Sequence, residues 1–458
     1  MELNENIFRA YDIRGIAFED LSENVVTKIG VAIARLAKNN NRFEIIVGRD
    51  GRNSSPKISS FLKQGIIKEG CDVIDLGIVP TPALYFATHT SSTDCGIMIT
   101  GSHNPSNYNG FKIVIKNIAI SGDQIQQLKK SILDLNKRRK SNFKKGKERS
   151  INILENYLKN ILEDISLPKP LKIVIDCGNG AASVIAKNVY EKLGCEVIPL
   201  FCEIDGNFPN HHPDPSREEN MLDLIREVKI HSANVGLAFD GDGDRLGVVS
   251  PSGEIIYADR LMMLFAEDIL NKENNRNIVY DVKCSKLLPE IIKKNGGVPI
   301  ISKTGHSFIK NKIREVDAAL GGEMSGHIFF NDRWPGFDDA IYAGARLLEI
   351  ISKTNEDIFQ KIPNMFSTPE INIKVKESNK FKIVDKFKAT ANFPNAEIIT
   401  IDGVRAEFKK GWGLLRASNT SAILVLRFEA ETKEELKRIM DLFRKEIGKI
   451  DTKLMNFE

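Results

Sequence analysis

The chain has 458 residues, and a division by about 150 residues per domain predicts roughly three domains. Hydrophobic residues make up 42% and charged residues 28%, which is typical of globular proteins and excludes collagen-like or wholly disordered classes. The formal net charge of +4 is too small to indicate a nucleic-acid binder. Residues 1–5 are acidic and polar, and no apolar run could span a bilayer. We therefore expect no secretory signal, no membrane span and a cytoplasmic protein.

The first third of the chain alternates helical and strand-like patterns. Apolar residues at helical spacing predict helices over residues 22–38 and 56–68. Short β-branched runs predict buried strands over residues 43–47, 71–76, 95–100 and 111–115. The Ser-Gly-Asp-Gln run at 121–124 resembles a capping box that opens another helix.

Similar alternation restarts twice further along the chain. Predicted strands cover residues 171–175, 195–200, 235–239, 278–282 and 298–302, with two more near 320 and 328. A helix over residues 338–353 closes this part. Such alternation favours α/β layers with helices packed on mostly buried sheets.

The tail after residue 363 has a different pattern. Strands are predicted over residues 370–375, 397–401, 404–408 and 422–428, and helices over 381–391 and 433–448. The stretch before residue 422 is rich in Ser, Asn and Thr and is predicted to be a loop. This pattern predicts an α+β module rather than another βα round.

Residues 137–149 form a basic run with eight Lys or Arg side chains. We interpret the run as a solvated helix end and linker close to a domain boundary. The alternative is a polyanion-binding patch.

Three carboxylates alternate with glycines at the end of an apolar strand. Asp240, Asp242 and Asp244 can converge on one hard cation, because the glycines permit a tight turn. An EF-hand is excluded, since its positions 6 and 12 would hold Arg245 and Pro251. The alternative is a solvated acidic turn.

Three further loops carry polar groups, each of them weak evidence alone. The run Thr-Gly-Ser-His-Asn-Pro at 100–105 follows a predicted strand, so Ser102 is a candidate nucleophile or phosphoryl acceptor. For this run alone, an ordinary Asn-Pro turn is the default interpretation. Residues 416–421 combine a guanidinium, hydroxyls and an amide, which suits a phosphate. Residues 322–327 place polar side chains between glycines, which suits sugar hydroxyls.

Together these blocks resemble the α-D-phosphohexomutase superfamily. The matching segments occur in family order and cover essentially the whole chain: residues 8–15, 100–105, 240–245, 323–327 and 416–420. The run Glu323-Met324-Ser325 resembles the phosphomannomutase/phosphoglucomutase branch. Phosphoglucosamine mutases usually have Gln at the position of Met324.

The resemblance implies three related α/β/α domains and a C-terminal α+β domain around a central cleft. The predicted limits are 1–148 for the phosphoserine domain, 149–250 for the metal domain, 251–364 for the sugar domain and 365–458 for a phosphate-binding lid. We expect the lid to close about a hinge near residues 364–369.

The resemblance also assigns roles to residues. Ser102 would be the phosphorylated serine, and a phosphoserine oxygen would join Asp240, Asp242 and Asp244 around one Mg²⁺. Residues expected to assist catalysis are Arg14, His103, Lys112, Arg245 and His306. Residues expected to bind the sugar are Glu323, Ser325, Tyr11, Lys283 and His306. Residues expected to bind the phosphate that is not transferred are Arg416, Ser418, Asn419 and Thr420.

The implied activity is that of an isomerase that interconverts hexose 1-phosphate and hexose 6-phosphate through a hexose 1,6-bisphosphate. Mannose and glucose differ at C2, so contacts to O3 and O4 predict that both are substrates. We expect a phosphosugar substrate, no nucleic-acid or membrane partner, a monomer or weak dimer, and products that feed nucleotide-sugar biosynthesis.

Three alternatives stay open at this point. One is a phosphoglucosamine mutase. Another is a haloacid-dehalogenase-type phosphatase, in which Asp240 would be the nucleophile and Ser102 a bystander. The third is a polyanion-binding protein that uses residues 137–149.

Overall fold

The computed structural model describes residues 3–135, 144–273, 276–419, 421–455 and 457. Thr420, predicted to bind phosphate, and the greater part of the basic run at 137–149, predicted to be a linker, lie outside the described residues. Within the described ranges, no helix combines the length and the apolar character needed to cross a membrane.

The first sheet is mixed, and its central strands are parallel. Strand β2 pairs in parallel with β3 and β4, and the order across the sheet is β1-β5-β4-β2-β3-β7, with β6 on β5. Its elements are β1 (Ile13–Ile16), α1 (Glu23–Asn39), β2 (Glu44–Arg49), α2 (Ser55–Lys68), β3 (Asp72–Ile78), α3 (Thr81–Thr90), β4 (Gly96–Ile99), β5 (Tyr108–Ile115), β6 (Ile118–Ala119), α4 (Asp123–Asp134) and β7 (Glu148–Ser150). The loops after β2 and β4 therefore meet at one edge.

The second sheet has the order β12-β11-β10-β8-β9. Strand β10 is parallel to β8 and antiparallel to β11, so the short β10–β11 connection turns back at the carboxyl edge. The elements are α5 (Leu154–Asp164), β8 (Lys172–Asp176), α6 (Ala186–Lys192), β9 (Glu196–Leu200), α7 (Leu222–Ile230), β10 (Val235–Phe239), β11 (Leu246–Val249) and β12 (Ile255–Ile256).

The third sheet repeats this plan in the order β14-β13-β15-β16, with the antiparallel pair β15–β16 at one side. Its elements are α8 (Ala258–Leu270), β13 (Asn277–Asp281), α9 (Leu287–Lys294), β14 (Val298–Ser302), α10 (His306–Val316), β15 (Leu320–Gly322), β16 (Ile328–Phe330) and α11 (Ala340–Ser352).

The C-terminal sheet is antiparallel throughout its described pairs, in the order β17-β22-β21-β20-β19, with β18 also on β22. Its elements are β17 (Phe366–Ser367), β18 (Ile371–Lys374), α12 (Lys380–Thr390), β19 (Glu397–Ile399), β20 (Val404–Phe408), β21 (Gly411–Ala417), β22 (Ile423–Ala430) and α13 (Lys433–Gly448). The predicted architecture of three α/β/α units and an α+β unit is confirmed.

Apolar packing joins the first three sheets and leaves the fourth with its own core. One continuous cluster contains Met98, Leu237 and Tyr280, which come from the first, second and third sheets. A separate cluster around Phe428 and Phe443 fills the C-terminal module. Sheet pairing carries β7 past residue 148 and β12 past residue 250, so it favours limits slightly later than those predicted, which remain predictions.

Two elements depart from the sequence expectations. The prediction of a loop before residue 422 is wrong over β21. This stretch is a strand whose residues are all buried, and it pairs with β20 on one side and β22 on the other. Pairing on both sides outweighs the low strand propensity of Gly411 and Gly413. Helix α3 was not predicted at all. Its first eight residues are buried, so it lacks the amphipathic period that reveals a surface helix.

Candidate active site

Loops from all four sheets line one cleft of about 570 Å³. They follow β4, β10 and β15, and the end of β21 completes the wall. The predicted site residues that line the cleft are Tyr11, Arg14, Ser102, His103, Lys112, Arg245, Lys283, His306, Glu323, Ser325, Arg416, Ser418 and Asn419. Residues far apart in the chain therefore converge on a single site.

The Ser102 loop lies against the acidic loop of the second sheet. Ser102 Oγ donates to Asp240 Oδ2 at 2.9 Å and lies 3.1 Å from His103 Nδ1. A Cβ at Gly241 would lie 2.4 Å from the Ser102 carbonyl oxygen, so only glycine permits this approach. Ser102 itself has φ +48°, in the left-handed region that a serine rarely adopts.

Asp240, Asp242 and Asp244 are fully buried, and each offers a carboxylate oxygen within 4.8 Å of the others. Burial, and then the charges of Asp242 and Asp244, raise the pKa of the Asp240 carboxyl well above its usual range. Asp242 Oδ1 is buried and has no hydrogen-bond partner among the described residues. Oxygen donors, crowded negative charge and an orphaned buried oxygen fit a hard divalent cation.

Lys112 and Thr81 connect the first sheet to the acidic loop. Lys112 Nζ donates to Asp242 Oδ2 at 2.6 Å and also to Asp244, and Thr81 Oγ1 donates to Asp242 Oδ2 at 2.5 Å. Burial acts to lower the pKa of Lys112, but the charges of Asp242 and Asp244 outweigh it and hold that pKa well above the usual value. Lys112 is therefore a buried cation that bridges Asp242 and Asp244.

The loop between β15 and β16 presents Glu323 and Ser325. Glu323 Oε1 accepts from the Gly305 amide at 2.5 Å, and Oε2 lies 2.9 Å from His327 Nδ1. Ser325 Oγ lies 3.2 Å from the same nitrogen. Burial acts to lower the pKa of His327, but Asp244 and Glu323 raise it to about 9. His327 was not predicted as a site residue, although it ends the matching block at 323–327.

The remaining predicted residues of the first and third units also meet in the cleft. Arg14 donates to Asp12 Oδ2 at 2.6 Å and to Asn104 Oδ1 at 2.5 Å, which ties it to the Ser102 loop. The Tyr11 and His306 rings are nearly perpendicular, with 5.1 Å between their centroids. Burial, helped by Lys310, lowers the pKa of His306 well below its usual value, so this imidazole is neutral.

A second group of polar residues belongs to the C-terminal module and its neighbour. Arg416 Nε donates to Asp402 Oδ2 at 3.0 Å, while its Nη2 is buried without a partner in the part of the chain that the structure describes. Asn419 Nδ2 donates to the Thr304 carbonyl at 3.3 Å. Lys283 Nζ donates to Glu370 Oε1 at 2.6 Å. An unpaired guanidinium nitrogen beside a lysine suits a phosphate group.

Comparison with known proteins identifies what the chain resembles. Four family profiles match in order: phosphoglucomutase/phosphomannomutase alpha/beta/alpha domain I over 5–139, domain II over 155–253, domain III over 257–367 and the C-terminal domain over 370–446. A phosphomannomutase/phosphoglucomutase from Pseudomonas putida is 50% identical over 455 residues, 99% of this chain and 97% of that protein. A phosphoglucomutase from Neisseria gonorrhoeae is 47% identical over 450 residues, 96% of each.

A solved structure shows the same arrangement. The crystal structure of a phosphoglucomutase/phosphomannomutase family protein from Burkholderia thailandensis superposes with a TM-score of 0.93 at 46% identity. The match covers 97% of this chain and 98% of that one. The four-unit fold is therefore that of this group of proteins.

Proposed function

This chain belongs to the phosphoglucomutase/phosphomannomutase family, and on that premise we propose that Ser102 carries the phosphate through which it interconverts hexose 1-phosphates and hexose 6-phosphates. The protein is an isomerase of the phosphohexomutase class. Its sugars are glucose and mannose, the pair that the name of the Pseudomonas putida relative joins. The alternative of a phosphoglucosamine mutase remains an outcome of the test below.

The observation that carries this proposal is the placement of Ser102. Its hydroxyl lies 2.9 Å from Asp240, which is one of three buried aspartates, and Lys112 donates to another of them, Asp242. Arg416 lines the same cleft and has a guanidinium nitrogen unpaired among the described residues. A sugar with a phosphate at each end can thus meet a phosphate carrier and a phosphate-binding group in one cavity.

Asp240, Asp242 and Asp244 would hold Mg²⁺, which their oxygen donors and the orphaned Asp242 Oδ1 fit. When bound, the metal neutralises charge that accumulates on the phosphoryl group. A phosphoserine has a second pKa of about 6 and carries close to two negative charges at neutral pH. Lys112, Arg245 and Arg14 line the cleft as the chain's own cations and oppose that charge.

In the first step the bond between phosphorus and Ser102 Oγ breaks, and a bond from phosphorus to the oxygen of the open sugar hydroxyl forms. That hydroxyl loses its proton and Ser102 Oγ gains one, so that free serine is restored. The product is a hexose 1,6-bisphosphate. This intermediate turns end for end, and Ser102 then takes the other phosphate. Glu323 and Ser325 serve both orientations, because O3 and O4 lie near the middle of the ring and change little when C1 and C6 exchange places. The same contacts do not distinguish mannose from glucose, which differ at C2.

His103 is placed to exchange a proton with Ser102. Its Nδ1 lies 3.1 Å from Ser102 Oγ. Burial, and then the charges of Arg245 and Arg14, lower the pKa of His103 well below its usual value, so the ring is neutral and can accept a proton. Lys112 and His306 line the same cleft and are the other candidates for proton transfer.

The test compares Ser102→Ala with the wild-type enzyme in a coupled assay with Mg²⁺ and a trace of glucose 1,6-bisphosphate. Mannose 1-phosphate, glucose 1-phosphate and glucosamine 1-phosphate are assayed side by side. We expect similar rates on the first two sugars and near-complete loss in Ser102→Ala. The control is Ser352→Ala, which removes a buried serine of α11 outside the cleft.

Radiolabelled bisphosphate adds a direct readout, since it should label wild-type protein on Ser102 and leave Ser102→Ala unlabelled. Dominant turnover of glucosamine 1-phosphate would contradict the sugar assignment. Near-normal turnover by Ser102→Ala would contradict the role of Ser102 and favour a phosphatase with Asp240 as the nucleophile.

A further inference from the structure

Arg52 is fully buried behind the loop that carries Ser102, and every N–H group of its guanidinium is used. Arg52 comes shortly after the end of β2 in the chain and is only 1% exposed. Nε donates to Asp50 Oδ2 at 3.1 Å. The four remaining N–H groups meet the backbone carbonyl oxygens of Ser102 (2.7 Å), Asn104 (2.6 Å), Pro105 (2.5 Å) and Tyr108 (3.1 Å).

The surroundings hold this guanidinium in one position. Asp50 fixes one edge and also accepts from the Gly101 amide at 3.1 Å. A Cβ at Gly101 would lie 2.5 Å from Arg52 Cζ, so the loop backbone lies directly on the guanidinium. The Phe208 ring of the second unit stands 5.1 Å from the same carbon. Arg52 is thus enclosed by its own strand end, the Ser102 loop and the neighbouring unit.

The loop needs such a support because its backbone is strained at the reacting residue. Ser102 has φ +48°, a conformation that persists only where the surrounding structure enforces it. Two of the four carbonyl groups held by Arg52 belong to Ser102 and Asn104, on either side of His103. Fixing them sets the direction of Ser102 Oγ toward Asp240, 2.9 Å away.

We propose that Arg52 is a positioning residue for phosphoryl transfer, which it supports by holding the backbone of the Ser102 loop without touching the substrate. The inference rests on the proposed function, since Ser102 must be the phosphate carrier. Only arginine offers five N–H donors in a flat fork. A lysine keeps the charge but has three donors at one nitrogen, so it leaves loop carbonyl groups unpaired.

The test is Arg52→Lys, with Arg346→Lys as the matched control. Arg346 is another buried arginine and donates to both oxygens of Asp332 at 2.8 Å, away from the residues that line the cleft. For each variant, three quantities are measured: thermal stability, the single-turnover rate of phosphate transfer from glucose 1,6-bisphosphate to Ser102, and the steady-state kcat and KM.

We expect kcat and the transfer rate of Arg52→Lys to fall by about a hundredfold, the scale of a 1 Å misplacement of a reacting group. KM should change little, because Glu323 and Arg416 are untouched. Arg346→Lys should lose stability yet keep both rates. A wild-type transfer rate in Arg52→Lys, or an equal rate loss in both folded variants, would overturn the inference.

A second variant keeps the inference testable if Arg52→Lys fails to fold. Gly101→Ala pushes a methyl group against the guanidinium from the loop side and should give the same loss of kcat with little change of KM. Unchanged kcat in Gly101→Ala would overturn the inference. Turnover by Ser102→Ala would instead overturn the proposed function, so the two failures are distinguishable.

Discussion

The two parts of the cleft that are suited to phosphate are held in very different ways. Ser102 lies between the first and second sheets, where buried bonds to Asp240 and from Lys112 to Asp242 join units that share one apolar core. Arg416 belongs to a module with a separate core. That module meets the third unit through a small apolar contact of Trp412 with Val282 and through polar bonds from side chains such as Arg405.

From this difference we propose that Ser102 is a fixed reacting group and that Arg416 provides an adjustable contact to the far phosphate. A polar boundary between units with separate cores is typical of domains that move relative to one another. A bisphosphate must also be released, turned and gripped again. The position of the expected hinge near residues 364–369 can be limited further, because β17 (Phe366–Ser367) already pairs with β22 inside the module. We therefore expect the bend before Phe366.

Removal of the divalent cation should have the largest effect, because it acts on the fixed part. Without a cation the three buried aspartates repel one another and the phosphoserine charge is not neutralised. We expect chelation to lower kcat by about a hundred- to a thousandfold, the scale of losing a main electrostatic stabiliser, and added Mg²⁺ to restore it. Asp242→Ala should be equally inactive and should not be restored. Full activity in metal-free protein would contradict the assignment.

The sequence alone singles out the candidate residues around Ser102 when these residues stand close together in one run. Ser102 and the aspartates at 240, 242 and 244 each follow a buried strand, and ligand-binding loops lie at the carboxyl ends of such strands. Their contact depends on the packing of two separate sheets, which neither run reveals alone. Arg52 was missed, since its role depends on four carbonyl groups some fifty residues away in the chain. The signal that could have found it is the charged run Gly48-Arg49-Asp50-Gly51-Arg52 at the end of β2.

Arg416→Ala tests the proposed phosphate contact of the C-terminal module and should mainly raise KM. Hydrogen bonds to charged groups contribute about 1.5–3 kcal/mol, which corresponds to a rise in KM of roughly 10- to 150-fold. We expect kcat to fall much less, because the Ser102 loop is unchanged. Steady-state kinetics with glucose 1-phosphate measure both, and Arg444→Lys on α13 is the control. A selective fall in kcat would show that Arg416 acts on the reacting phosphate instead.

Closure of the C-terminal module is a smaller and purely structural effect. Small-angle scattering of Ser102→Ala, with and without glucose 1-phosphate, compares the two states without turnover. We expect the radius of gyration to decrease when the sugar phosphate bridges Glu323 and Arg416. Arg416→Ala should show a weaker decrease at the same ligand concentration. Identical scattering curves with saturating ligand would remove the proposed closure and leave only the difference in packing.

The smallest predicted effect is a pH dependence of stability that one of the two cores should show and the other should not. Asp339 is buried and accepts hydrogen bonds from Tyr157 Oη at 2.8 Å and Trp334 Nε1 at 3.1 Å, inside the core shared by the first three sheets. Burial raises the pKa of this carboxyl from 3.8 to about 7. The folded protein therefore keeps a proton that the unfolded chain releases between these values, and stability falls as pH rises through that window.

Calorimetry from pH 5 to pH 7 should show this loss of stability only in the unfolding transition of the first three units. The part of the slope that Asp339→Asn removes should not exceed about 1.4 kcal/mol per pH unit, the limit for one proton. The transition of the C-terminal module should not follow it. Asp339→Asn should flatten the dependence, whereas Asp451→Asn, an exposed cap in the module, should not. A single transition that shifts as a whole would mean that the two cores unfold together.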